Sequence, residues 1–309
     1  MLVAPCSPEP RGLRLSLVRE CEMRAEDRIF LAQYASSICL THPIAALALH
    51  RAAVDADEVA VVTESQMHQV SREQAEAKAA EGGTAALVQT YVVARLLAQL
   101  AAAIEDCGAI GDAVRYRDRQ GLFRRYMRSK NGAVGVFWDN ALLGKPITEL
   151  LAFPDLEGLS MSGEHRQHLA YDYQELPKSL AEIAGIYRGK SSPGAWSLPG
   201  AAPAQEPNVV NIVVDIVPGK RGQAPPVPGV SILEAYNKLK HRFTVFGPIA
   251  SFAAAVEVHG DLVVDATYPR EPAYANRLVE NICTVARVSG EIAALALRLD
   301  QLGVLPQGV

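Results

Sequence analysis

The sequence predicts a mainly α-helical protein: a helical bundle around a buried central helix at about 84–106. To this it adds a Pro/Gly-rich extended segment and a C-terminal helical pair. Three observations carry the prediction. The stretch TAALVQTYVVARLLAQLAAAIED, Thr84 to Asp106, is apolar on nearly every side, the pattern of a helix surrounded by others. Capping residues and prolines at helix starts recur along the chain. One segment alone, NVVNIVVDIVP from Asn208 to Pro218, has the β-branched richness of a strand.

In order, residues 1–19 read as a loose arm, because Pro5, Pro8, Pro10 and Gly12 interrupt any period. A helical domain is expected over 20–188. Its first helix, Arg24 to Leu40, places Ile29, Phe30, Tyr34 and Ile38 on one face. Thr41-His42-Pro43 ends it and opens a second, with Thr41 as cap and Pro43 in the first turn. Asp55, Asp57 and Glu58 put negative charge at the start of a third, where the macrodipole favours it; that helix is expected to reach about Ala80.

The central helix follows Gly82-Gly83. At 100° per residue its polar residues Arg95, Gln99 and Asp106 form one narrow stripe. Its length suits a membrane span. Arg95 near the middle costs roughly 2.5–3.5 kcal/mol in a bilayer, and the run is alanine-rich, so a soluble core helix is the reading. Arg95 then needs a partner or a route to the surface. Cys107-Gly108 to Gly111 is expected to break the helix, and Asp112 to cap another through about Arg128.

Weak patterning from Ala133 to Lys178 predicts short helices and loops, and Ser179 to Glu182 has capping-box spacing. Residues 189–229 hold eight of the chain's 19 prolines and read as a linker or surface loop with one possible strand. Residues 230–309 read as a C-terminal helical segment packed on the first domain. Ser231 to Glu234 starts one helix, through Phe246; the other begins near Pro272, with Leu278, Ile282, Val285, Ile292, Ala296 and Leu299 on one face.

The composition bounds function. The 309 residues are 49% hydrophobic and 21% charged, with a net charge of −4, so no global attraction to nucleic acid or anionic lipid operates. Five scattered cysteines without a CxxC pair fit a reducing cytoplasm better than a disulfide framework or structural zinc. The N-terminus lacks the apolar run of a secretion signal. A cytoplasmic location is expected, with no membrane partner, no cofactor and no metal.

The most distinctive chemistry is RYRDRQGLFRRYMRSK, Arg115 to Lys130. Seven basic residues face one acidic residue, Asp118, so 7 − 1 gives a local +6. As one helix it would line up Arg117, Arg124 and Arg128 at i, i+7 and i+11, with Arg125 beside them and Tyr116, Phe123 and Met127 turned to the core. A basic face of this kind suits a polyanion, a nucleic acid or an acidic protein. The competing reading is a solvated face, or internal partners for acidic helices. A non-catalytic binding protein is therefore the expected function.

The alternative is a helical enzyme, metal-dependent or not, with a site near Glu164, His165 and His168. Two histidines three apart share a helix face, but the ligand set is short, and Pro154 and Gly163 point to a loop. Ala184 to Ser191 follows the spacing of a phosphate loop with Ala in first place, but a helix precedes it where a strand is needed. Val70 to Thr84 resembles a helix–turn–helix opening only superficially. The helix after it is apolar and offers nothing to base edges.

Overall fold

The computed structural model describes residues 23–117, 121–129, 131–159, 161–188, 211–215, 263–267 and 272–305. The expected arm at 1–19, the helix from Ser231 to Phe246 and most of 189–229 lie outside them. The described chain is a bundle of helices, as predicted, with one short β-ribbon.

Helix α1 (Ala25–Ser36) is followed by a 3-10 turn (Ile38–Leu40), α2 (Thr41–Val54), α3 (Ala56–His68) and α4 (Arg72–Gly82). Thr41 is the first helical residue rather than a cap, and its hydroxyl donates back to the Ile38 carbonyl at 2.8 Å. The single helix expected to reach Ala80 is two. Gln69 adopts a left-handed φ of 51° that ends α3. Ser71 and Gln74 then form a reciprocal capping box that starts α4.

Helix α5 (Thr84–Arg115) is the centre. It packs against α2, α3, α7 (Asn131–Leu142) and α10 (Pro272–Gln301). Val92, Val93, Leu96, Leu97, Leu100, Ile104, Ile110 and Val114 are buried along it. It does not break at Gly108 or Gly111. Those glycines are a notch in its surface. A Cβ on Gly108 would lie 2.6 Å from the Trp138 indole nitrogen, and one on Gly111 would lie 2.4 Å from the Phe137 ring. The missing side chains let α7 approach closely enough to bury Phe137 and Trp138. Arg95 takes the surface route: it is exposed, donates to the Tyr91 hydroxyl at 2.9 Å and lies over that ring.

After α5 come α6 (Leu122–Arg128), α7, α8 (Ile147–Leu150) and the long α9 (Gly163–Tyr187). Residues 163–187 form one helix where loops and a later start at Ser179 were expected. Ser162 caps it by accepting from the His165 N–H, and it continues through Pro177. Leu169, Leu176, Leu180 and Ile183 bury one face, enough apolar contact to offset the roughly 3 kcal/mol that an internal proline costs. The residues with phosphate-loop spacing begin inside its last turn, where Ala184, Gly185 and Tyr187 are buried.

The strand expected within 208–218 is β1 (Asn211–Asp215), paired antiparallel with β2 (Val263–Thr267), Asn211 opposite Thr267. Its partner falls in a stretch expected to be a connection between helices. Helix α10 closes the bundle against α5, α1, α2 and α9. Asp300 near its end accepts from the Met23 N–H at 3.0 Å and pairs with Arg28 at 2.6 Å, tying the start of α1 to it. By length and composition, Ala25–Val54 and Thr84–Arg115 are each apolar enough to cross a membrane. The most apolar window of the second is 53% buried in the bundle, that of the first only 11%.

Candidate anion-binding interface

The basic segment is not one helix. Helix α5 ends at Arg115, and α6 starts after Gly121, whose φ of 97° an L side chain rarely adopts. Gly121 has no side chain to cap α6, so the cap comes from elsewhere. Buried Asp27 of α1 accepts from the Leu122 N–H at 2.8 Å and the Phe123 N–H at 3.3 Å. A carboxylate at a helix start both satisfies orphan N–H groups and suits the macrodipole.

Two more carboxylates fix the inner face of α6. Asp112, buried on α5, takes Arg125 through Nε at 2.9 Å and Nη2 at 3.3 Å, and the Ser129 hydroxyl at 3.2 Å. Asp106 accepts from the Tyr126 hydroxyl. Phe30 packs edge-on against Phe123, with centroids 5.1 Å apart, and lies 5.2 Å from Tyr126.

The outer face carries Arg124 and Arg128, both exposed and without an ion-pair partner among the described residues. Phe123 and Met127, expected in the core, are 50% and 65% exposed beside them. A cleft of about 170 Å³ opens next to α6, lined by Asp112, Arg115, Tyr116, Arg125, Val136 and Phe137. The Arg115 and Arg125 guanidiniums lie 5.1 and 4.8 Å from the centre of the Tyr116 ring, within cation–π range.

Of the four predicted arginines, Arg124 and Arg128 stand on the surface, and Arg125 is half-buried on Asp112 at the cleft. Arg117 belongs elsewhere. It is 8% exposed and donates to the carbonyls of Val114 (2.6 Å), Leu151 (3.0 Å) and Ala152 (2.7 Å). It joins the end of α5 to the end of α8, satisfying carbonyls that no helical N–H reaches. Burial pushes its pKa down to about 10, which leaves it charged at neutral pH. Arg119 and Lys130 lie outside the described residues.

Glu164, His165 and His168 sit on the first turns of α9 and are fully at the surface. No group of three potential metal-ligating side chains forms among the described residues.

One constellation escaped the sequence. His42 and Tyr34 meet the polar stripe of α5. Gln99 Nε2 is 2.6 Å from His42 Nδ1, and the Tyr34 hydroxyl donates to Asp106 at 2.6 Å. His42 Nε2 is 3.7 Å from Asp106, beyond a normal hydrogen bond. Burial pushes the Asp106 carboxyl up, but His42, Tyr126 and Tyr34 together outweigh it and hold it below the usual carboxylate range. Burial, then Asp106, raises the Tyr34 and Tyr126 phenols. Burial likewise pushes the neighbouring Cys107 thiol up to about 12 and raises Cys39, so both stay protonated. The signal was in the stripe: Gln99 and Asp106, seven apart on an otherwise apolar helix, need polar partners.

No protein-family model matches the chain, and neither a curated protein nor a solved structure matches it. The geometry therefore stands alone as the guide to function.

Proposed function

We propose that this chain is a non-catalytic binding protein whose helix α6 engages an acidic protein segment. The observation that carries the reading is the division of labour on α6. Its inner face uses three carboxylates, Asp27, Asp106 and Asp112, to hold the helix. Its outer face presents Arg124 and Arg128 with no such partner among the described residues, next to exposed Phe123 and Met127.

Arginine, aromatic residues and methionine are the residue types enriched at protein interfaces. An acidic amphipathic segment would meet the guanidiniums through its carboxylates and the Phe123–Met127 strip through its apolar side. Arg115 at the adjoining cleft extends the positive surface, while Arg125 there is neutralised by Asp112. A net charge of −4 favours such local recognition over wholesale attraction to nucleic acid. The same reading carries the expected cytoplasmic location.

Fluorescence anisotropy of the full chain, with an acidic amphipathic peptide and a single-stranded oligonucleotide of equal charge, tests it. The peptide should bind more tightly, and Phe123→Ser with Met127→Ser should weaken the peptide selectively. Equal or tighter oligonucleotide binding, unaffected by those changes, would assign the face to nucleic acid instead.

A further inference from the structure

We propose that the cleft beside α6, between α5 and α7, binds a small organic monocarboxylate whose apolar body is about the size of a benzene ring. The cleft holds about 170 Å³. Sites for drug-sized molecules run to about 300–1,000 Å³, whereas a cavity of about 150 Å³ is enough for benzene. The space therefore suits one ring, or a short branched chain, with a single head group.

The walls sort such a molecule end to end. Ala133, Val136 and Phe137 of α7 form the apolar side. Phe137 is buried against the notch that Gly111 leaves in α5, so this wall is held in place. Val136 is exposed and marks the open side. The polar side comes from the end of α5 and from α6: Asp112, Arg115, Tyr116 and Arg125. Apolar walls with a few converging polar groups are the pattern of a small-molecule site.

The charges select the class of ligand. Asp112 is matched by Arg125, through hydrogen bonds of 2.9 and 3.3 Å. Arg115 is left over, so two cations against one carboxylate give the cleft one surplus positive charge. The Arg115 guanidinium has no ion pair or hydrogen bond among the described residues, and neither has the Tyr116 hydroxyl a hydrogen bond there. Arg115 is half-buried and lies over the Tyr116 ring at 5.1 Å. That contact orders its planar fork before a ligand arrives, which lowers the cost of binding. The fork matches a carboxylate with two parallel hydrogen bonds. A phosphate dianion would match it too, but its second charge would face Asp112 and the negative end of the α5 dipole. The outer face of α6 plays no part: the site uses Arg115 and the α7 wall, not Arg124, Arg128, Phe123 or Met127.

Calorimetric titration of the full chain at physiological salt, with benzoate, benzamide and inorganic phosphate as probes, tests the proposal. Benzoate should bind one to one. Benzamide keeps the ring without the charge, and phosphate keeps charge without the ring; each should bind at least tenfold more weakly. Arg115→Gln should weaken benzoate tenfold or more at a nearly unchanged melting temperature, since its guanidinium has no ion pair to lose. Val136→Glu should do the same by filling the open side with a negative group, and it decides the matter if Arg115→Gln fails to fold. Arg124→Glu with Arg128→Glu should bind benzoate as the parent does. A parent without saturable benzoate binding at millimolar concentration overturns the proposal. So does benzamide or phosphate binding as tightly as benzoate, or a folded Arg115→Gln or Val136→Glu that binds like the parent. Loss of benzoate in the Arg124, Arg128 variant overturns it too, by moving the ligand to the outer face. A chain that binds the acidic peptide but not benzoate refutes this site and leaves the peptide face standing.

Discussion

Adding one methyl group near the C-terminal end of α5 should destabilise this protein, although alanine is a better helix former than glycine. At Gly111 the new Cβ would lie 2.4, 2.6 and 3.0 Å from three atoms of the Phe137 ring. Carbon atoms pack best at about 3.5–4.0 Å, so the ring must retreat by about 1 Å. It is buried and stacked edge-on against Trp138 at 5.0 Å, which leaves it little space. Overpacking of this kind costs about 1–3 kcal/mol, against a gain of up to about 1 kcal/mol from helix propensity. The net expectation for Gly111→Ala is a loss of about 1–2 kcal/mol, read as a fall of a few degrees in Tm. Gly108→Ala should behave similarly, because its Cβ would meet the Trp138 indole nitrogen at 2.6 Å and Val134 at 2.7 Å. The control is Gly132→Ala in α7, where no atom lies within 4 Å; it should be neutral or stabilising by a few tenths of a kcal/mol. Shrinking the ring in the same background, Gly111→Ala with Phe137→Leu, should cost less than the sum of the two single changes, because both act on one contact. Thermal and urea unfolding of the parent and the five variants, Phe137→Leu included, give the comparison. A Gly111→Ala variant as stable as Gly132→Ala would refute the notch and the close approach of α7.

Two further outcomes follow from the buried polar groups. Arg117→Met should cost about 2–4 kcal/mol in urea unfolding, because two buried carbonyls and one half-buried one lose a charged donor; a loss under 1 kcal/mol would mean Arg117 is a surface residue after all. Stability should also fall at both ends of the pH range. The lowered Asp106 contributes stability that is present above the ordinary value of 3.8 and lost as pH falls through its depressed folded value. The raised Tyr34 and Tyr126 contribute stability that is complete below 10.0 and lost as pH climbs towards their elevated folded values. Asp106→Asn should flatten the acid limb and only reduce the alkaline one, where burial remains the larger cause, a result that acid and alkaline unfolding curves would show directly.

What the sequence made legible was the packing of apolar surface. The span from Thr84 to Asp106 declares itself because so few of its residues can face water, and the face from Leu278 to Leu299 does so by its period. What it hid depends on tertiary neighbours. Gly108 and Gly111 look like helix breakers until Trp138 and Phe137 arrive to fill the space they leave. Arg117 shares a helical face with Arg124 and Arg128 only if the helix is continuous, and Gly121 at φ 97° shows that it is not. With that break, Tyr126 turns inward to Asp106, Met127 turns outward, and Phe123 stays half-exposed against Phe30. His42 looked like a helix-end residue because Gln99 and Asp106 come to it from 57 and 64 positions away. Glu164, His165 and His168 looked like a turn because Pro154 and Gly163 are near, yet Ser162 starts a helix there.

The proposed function requires Arg124 and Arg128 to form a binding face rather than internal supports. The direct measurement is a salt titration of peptide binding by the parent and by the double variant Arg124→Glu, Arg128→Glu, with the melting temperature of each recorded alongside. The parent should bind the acidic peptide and weaken as salt rises, because the attraction is screened. The double variant should lose the binding and melt within a few degrees of the parent, since exposed charges contribute about 0–1 kcal/mol each. A parent that binds nothing, paired with a double variant that melts much earlier, would contradict it.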